Sequence, residues 1–265
     1  LDAFVMSPMP KGDAIEDRLR GVESAHGVRI LYACESGSRA CGFPSPDSDY
    51  DVRFIYARPL SEYLRVNPGR DVVELPIKGD LDISGWDLRK ALQLMLKGNQ
   101  AIFEWLYSPV VYRSHSAFLK ECRHVSTRAY RRRAALGHYF GIASRIAAEH
   151  LHTDDAPIKK VLYVLRTMLA GRWAAENPEP PPISMDLLVA GTLMEAAIRQ
   201  EIMDILKAKQ SAMERETIHL SKDMTGFIYQ SLLDLRRWLQ EWDVPEPSPE
   251  TTLADNLFFR WVCEQ

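Results

Sequence analysis

The 265-residue sequence is poor in cysteine: Cys34, Cys41, Cys122 and Cys263 are its four, and none forms a Cys-x-x-Cys pair. This spacing argues against a zinc site or a disulfide-stapled scaffold and fits reduced thiols in a cytoplasmic protein. Long apolar runs are also missing. None approaches the roughly 20 residues of a membrane-spanning helix, so no membrane partner is expected. No secretory-signal pattern follows Leu1. An excess of positive charge is absent as well, with 33 Lys and Arg against 36 Asp and Glu. The net charge of −3 implies no global attraction to nucleic acid. The chain has neither the GxxxxGK[ST] spacing of a P-loop nor the GxGxxG of a dinucleotide fold. It shows no RRM or KH signature, no internal repeat and no low-complexity tract.

What is present is a globular composition, 46% apolar and 26% charged, on a chain long enough for two compact domains or one large one. Charge is unevenly spread. From Arg128 to Arg172 nine Lys or Arg meet three Asp or Glu, a net of +6, which leaves −9 for the remainder. A basic segment therefore lies downstream of an acidic one.

The acidic part centres on Glu35-Ser36-Gly37-Ser38-Arg39 followed by Pro46-Asp47-Ser48-Asp49-Tyr50-Asp51-Val52-Arg53-Phe54-Ile55. Val28–Cys34 reads as a buried strand, Glu35–Ser38 as a turn, Arg39–Gly42 as a short helical piece and Asp49–Ala57 as a second strand. Asp47 and Ser48 are turn formers. Residues i and i+2 of a strand share a face, which sets Asp49, Asp51 and Arg53 side by side. Paired carboxylates repel unless a proton or a cation separates them, and strands disfavour Asp. A strand entry at the domain rim is the plain alternative. Gly37 lets backbone approach a phosphate, and Ser38 can donate to it, although a Gly-Ser turn alone is common.

Elsewhere the periodicity predicts a helix over 12–26, after an extended lead-in over 1–10, and a helical turn at Leu60–Arg65. Val72–Lys78 and Asp80–Ser84 read as a hairpin about Gly79. Ser84 is expected to cap a helix from Trp86 to Lys97 that stops at Gly98, with a further helix at Ala101–Leu106. From Ser116 onward the pattern is helical: about 127–151, 157–175, 184–190, 192–209, 222–242 and 252–263. Arg131, His138, Arg145 and His152 share one face of the first of these, and Arg131-Arg132-Arg133 reads as a solvated run. Lys159, Tyr163 and Arg166 line one side of the second, as a contact surface for phosphate or base or as a solvated face. Asp82, in a strand just before Ser84-Gly85-Trp86, is a third carboxylate, with Asp80 as the other choice.

Together these residues resemble the DNA polymerase β-like nucleotidyltransferases: Gly37-Ser38, a short helix, Asp49-x-Asp51 on the next strand and a later strand Asp. The longer strings Glu35-Ser36-Gly37-Ser38-Arg39-Ala40, Asp47-Ser48-Asp49-Tyr50-Asp51-Val52-Arg53-Phe54-Ile55-Tyr56, Ser84-Gly85-Trp86-Asp87-Leu88-Arg89-Lys90-Ala91-Leu92 and Glu104-Trp105-Leu106-Tyr107-Ser108-Pro109 resemble the RlaP or YcgL-like predicted nucleotidyltransferases, which are proposed to act in RNA repair. The resemblance covers about residues 28–175. It implies an α+β fold, with a nucleotidyltransferase palm and mixed sheet over 1–115 and an all-helical domain over 116–265. It implies two Mg²⁺ ions on Asp49, Asp51 and Asp82, and a nucleoside triphosphate held by Gly37 and Ser38. Arg39, Arg53, Lys159, Tyr163 and Arg166 are the further nucleotide-contact candidates. The implied reaction transfers NMP from an NTP to an acceptor hydroxyl, an RNA 3′ end being the first acceptor to consider. Nucleotidylation of a small molecule or a protein, or an antitoxin-like nucleotide-binding module without turnover, remain open.

Overall fold

The computed structural model describes residues 12–263 apart from 152–154, 194, 212–215, 247 and 249. The lead-in over 1–10 and His152 fall outside the described residues. In chain order the first half runs α1 (Gly12–His26), β1 (Arg29–Glu35), α2 (Ser38–Cys41), β2 (Tyr50–Ala57), α3 (Leu60–Tyr63), β3 (Val72–Glu74), β4 (Leu81–Asp87), α4 (Leu88–Leu96), α5 (Gln100–Leu106) and β5 (Val111–Ser114). The second half runs α6 (Ser116–Ala129), α7 (Arg132–His150), β6 (Asp155–Pro157), α8 (Ile158–Glu176), α9 (Met185–Thr192), α10 (Ala196–Ser211), β7 (Thr217–His219), α11 (Lys222–Gln240) and α12 (Thr251–Cys263).

The fold is α+β, built on a five-stranded mixed sheet of order β3-β4-β2-β1-β5. β2 and β4 are parallel, and the other neighbours are antiparallel. Alternation divides β2 between two layers. Val52, Phe54 and Tyr56 pack with Ile83 and Val73 against Ile15, Leu19 and Val22 of α1. Those three α1 residues recur at i, i+4 and i+7, the stripe that puts one helix face on a sheet. On the opposite face Tyr32, Cys34 and Ile55 join a larger core that continues through α4–α12 as far as Val262. The sheet is thus covered on both faces, except where β2 and β4 begin. Each apolar side chain fully buried this way contributes about 1.5–3 kcal/mol.

Four expectations need correction. The strand expected over Val72–Lys78 is only Val72–Glu74. Ser84 does not cap a helix; β4 runs through it to Asp87. Gly85 sits comfortably in that strand because the Phe54 ring lies 2.2 Å from where a Cβ would stand. The cap is Asp87, whose carboxylate accepts from the Arg89 N–H at 2.8 Å, so α4 starts at Leu88. The helix expected over 127–151 is two helices, broken at Tyr130 and Arg131, both extended. Arg131 and Arg132 are not solvated there. Arg131 donates to the Leu96 carbonyl near the end of α4, and Arg132 to the Ala174 (3.1 Å) and Ala175 carbonyls near the end of α8. Cations are stabilising at those helix C-termini. The helical half also carries a short ribbon, β6 against β7, that the pattern did not signal.

Candidate active site

β1 delivers the turn at the open end of the sheet. Glu35 ends that strand fully buried. One carboxylate oxygen accepts the Asp51 N–H at 2.8 Å and the Ser36 and Gly37 N–H groups at 3.3 Å. Its other oxygen accepts the Tyr112 hydroxyl. Burial first, and the Glu35 carboxylate second, push the Tyr112 hydroxyl well above its ordinary pKa, so it remains a donor. Glu35 therefore fixes the turn and the start of β2 through one carboxylate.

Gly37 is required by close approach rather than by its φ of −83°. A Cβ there would lie 1.8 Å from Asp51 Oδ2 and 2.7 Å from its carboxyl carbon. The Asp51 carboxylate thus rests on the bare glycine backbone. Ser38, nearly buried, opens α2 immediately after. Asp49 is exposed and lies one residue outside β2. Asp51 pairs in register with Asp82 on the parallel neighbour β4. Arg53 joins them, donating from Nη2 to Asp82 Oδ2 at 2.8 Å and to Asp51 Oδ1 at 3.2 Å. Burial raises the Asp51 pKa first, Arg53 opposes it, and Glu35, Asp82 and Asp49 add to the rise. The three predicted carboxylates are therefore electrostatic neighbours. Asp80 sits outside the strand, where its carbonyl accepts the Tyr50 N–H at 2.7 Å.

Arg39 holds the approach to Asp49. It donates to the Ser48 carbonyl at 2.7 Å and the Asp49 carbonyl at 3.2 Å, with its guanidinium 3.9 Å from the Tyr50 ring centroid. The same loop is tied from inside. Ser48 Oγ caps the Ser45 N–H at 2.9 Å, and buried Lys209 of α10 donates to Ser45 Oγ at 2.9 Å. Of the predicted α8 residues, Tyr163 packs edge-on against Phe43 with ring centroids 5.6 Å apart. Its raised hydroxyl pKa comes mainly from burial, with contributions from Cys41 and Asp51. Arg166 is buried, donating to Glu104 at 2.8 Å and the Ile183 carbonyl at 3.1 Å. Glu104 also accepts the Tyr139 hydroxyl at 3.1 Å. Arg166 thus anchors α8 to α5, while Lys159 is half-buried one turn before Tyr163.

Glu35, Tyr112, Ser45 and Lys209 were missed by the sequence reading. Glu35 stands in the quoted turn, yet nothing local shows that its carboxylate folds back on Asp51. Lys209 lies 164 positions from Ser45 and gives no local signal.

Oxygen donors from clustered carboxylates suit Mg²⁺. Among the described residues no group of three His, Cys, Asp or Glu stands as a ready metal cluster. Arg53 acts as the counter-cation of Asp51 and Asp82. The donor chemistry fits a divalent cation, and Arg53 would have to share those carboxylates with it. Among the described residues no helix is long and apolar enough to cross a membrane.

A family model, "RlaP: RNA repair pathway DNA polymerase beta family", matches residues 12–260. The chain belongs to that family. It is 41% identical over 200 residues, covering 76% of this chain and 77% of the relative, to the Bacillus subtilis (strain 168) protein named "Uncharacterized protein YcgL". Among solved structures, a nucleotidyltransferase-like protein from Exiguobacterium sibiricum 255-15 aligns over 95% of this chain and 80% of that one. Its TM-score is 0.33 at 10% identity.

Proposed function

We propose that the protein is a Mg²⁺-dependent nucleotidyltransferase that moves NMP from an NTP to an acceptor hydroxyl, releasing pyrophosphate. The observation that carries this reading is the register of Asp51 with Asp82, with Asp51 seated on bare Gly37 backbone. Residues 1–115 form the catalytic unit and 116–265 the helical unit, which closes over the Tyr32, Cys34 and Ile55 face of the sheet.

Asp49 and Asp51 would hold both ions, and Asp82 the one next to the attacking hydroxyl. When bound, Mg²⁺ supplies charge neutralisation on the attacking and leaving oxygens of an in-line displacement. Gly37, whose own N–H is held by Glu35, lets the β- and γ-phosphates approach the bare backbone, and the Ser38 hydroxyl would donate to them. Glu35 holds that turn rigid, so aligned donors need not be reorganised during reaction. Arg39 keeps the Asp49 loop in place. Arg53 spreads positive charge between two carboxylates that would otherwise repel. Tyr163 and Lys159 face the triphosphate from α8, and Arg166 contributes by anchoring that helix. The family description favours an RNA end as acceptor.

The test is incubation with α-labelled NTPs, Mg²⁺ and candidate RNA, protein and small-molecule acceptors. Label should transfer with the wild type and not with Asp49→Ala or Asp51→Ala. Absence of transfer to all acceptor classes would leave a nucleotide-binding module instead.

A further inference from the structure

Helix α10 breaks its own pattern at one position. Ile198, Ile202 and Ile205 recur at i, i+4 and i+7 and are buried in the larger core. The next place in that stripe, four residues on, is Lys209, which is 1% exposed. Lysine is almost never fully buried unless it is partnered, because taking an ammonium out of water is costly. A methionine would fill much of the same space without that cost. Departures of this kind from an otherwise consistent pattern concentrate at functional sites.

The Lys209 ammonium donates to Ser45 Oγ at 2.9 Å, 164 positions away in the loop between α2 and β2. That loop is a closed turn. The Ser45 carbonyl accepts the Ser48 N–H at 3.1 Å, Ser48 Oγ accepts the Ser45 N–H at 2.9 Å, and the two buried hydroxyls lie 3.0 Å apart. Arg39 grips the turn from its more exposed side, through the Ser48 and Asp49 carbonyls, and Lys209 grips it from the core.

Asp49 is the residue that follows. Asp51 is seated on Gly37 and paired with Arg53, and Asp82 is paired with Arg53 as well. Among the described residues the Asp49 carboxylate has neither a hydrogen bond nor an ion pair. Its place is therefore set by the backbone on either side of it. On one side is the Ser45–Ser48 turn, and on the other is Tyr50, whose N–H is held by the Asp80 carbonyl at 2.7 Å.

We propose that Lys209 is a positioning residue for Asp49. Through Ser45 and Ser48 it fixes the turn that presents the Asp49 carboxylate to a divalent cation, so the site is complete only with α10 docked against the loop. This deepens the transferase reading and rests on Asp49 being a cation ligand. Lys209 itself is no ligand, since an ammonium has no lone pair to offer a cation.

The test is the Mn²⁺ affinity of the full chain with a non-hydrolysable NTP analogue, read by electron paramagnetic resonance in a double-mutant cycle of Lys209→Met and Asp49→Asn. Amide exchange of the metal-free proteins is measured alongside. Lys209→Met should weaken Mn²⁺ binding roughly 10- to 100-fold, the range for loss of a group that orients a metal ligand. In the Asp49→Asn background the same substitution should change the remaining affinity by less than about twofold, because the ligand it places is already gone. Ser45→Ala breaks the contact from the loop side, leaves α10 untouched and should reproduce both results. Exchange should quicken over Ser45–Asp49 in Lys209→Met and stay unchanged at Ser38. Unaltered Mn²⁺ affinity or unaltered loop exchange in Lys209→Met would overturn the proposal. So would an equal loss of affinity with and without Asp49, which would assign Lys209 to general stability. No Mn²⁺ uptake by the wild type, or wild-type affinity in Asp49→Asn, would instead overturn Asp49 as a ligand, and quickened exchange would then leave Lys209 a loop anchor alone.

Discussion

Gly37→Ala separates a structural glycine from a catalytic one. The added methyl would stand 1.8 Å from Asp51 Oδ2, so the carboxylate must retreat by about 1.2–1.6 Å to reach the 3.0–3.4 Å of tight real contacts. The atom that moves is the tip of a side chain, and the backbone φ of −83° makes no left-handed demand. The stability cost is therefore modest. Weakening the Arg53–Asp51 contact, whose side chains are 18% and 31% exposed, costs about 0–1 kcal/mol. The ψ of −149° lies at the edge of what an L-residue adopts, and that strain cancels the gain from restricting the unfolded chain. The expected fall in melting temperature is at most about 4 °C, given roughly 2–4 °C per kcal/mol for a chain of this order. Displacing a reacting-centre ligand by more than 1 Å should instead cost about 100-fold or more in rate. Label transfer and thermal melting on the same preparation decide the matter. Near-wild-type transfer would refute the reasoning, and so would a collapse of stability comparable to a core deletion.

Three further outcomes follow from the same geometry. Glu35→Ala strips the acceptor from three N–H groups, two of them at long range, and should cost about 3 kcal/mol in chemical denaturation, with Glu35→Gln clearly milder. Lys209→Met keeps the apolar stem but removes the ammonium on Ser45, so amide exchange over Ser45–Asp49 should quicken and stability fall by about 1.5–3 kcal/mol; unchanged exchange would show that the loop holds itself. Asp87 has its pKa raised chiefly by burial, against the opposing Arg89 N–H, Tyr63 hydroxyl and Arg58. The folded state then binds its proton more tightly than the unfolded chain. Between the ordinary value of 3.8 and the raised folded value, this group's contribution to stability grows as pH falls. Asp87→Asn, which can still cap α4, should remove that slope in melting curves across the acid range, and a slope that persists would assign it elsewhere.

The parts of the fold that the sequence announced are those with local causes. The α1 helix, the two central strands and the turn between them follow from apolar spacing and turn chemistry. So does the face that joins Asp51 to Arg53. Asp82 was legible as a strand carboxylate, but its register with Asp51 belongs to a parallel pairing that no local pattern reveals. The break at Tyr130 and Arg131 escaped because the basic run is helix-compatible, and its reason lies in carbonyls at the ends of α4 and α8. Arg166 matched the i, i+7 spacing of a contact face, yet burial committed it to Glu104. Ser84 looked like a cap because the sequence does not show the Phe54 ring that makes Gly85 a strand residue.

In the proposed reaction Asp49, Asp51 and Asp82 would hold divalent cations beside a nucleoside triphosphate. Electron paramagnetic resonance of Mn²⁺ titrated into the protein with a non-hydrolysable NTP analogue tests it most directly. Two bound ions per chain are expected in the wild type when the analogue is present, with weakened binding in Asp51→Asn. Wild-type and Asp51→Asn proteins taking up Mn²⁺ equally, or no uptake beyond that of the free analogue, would contradict it.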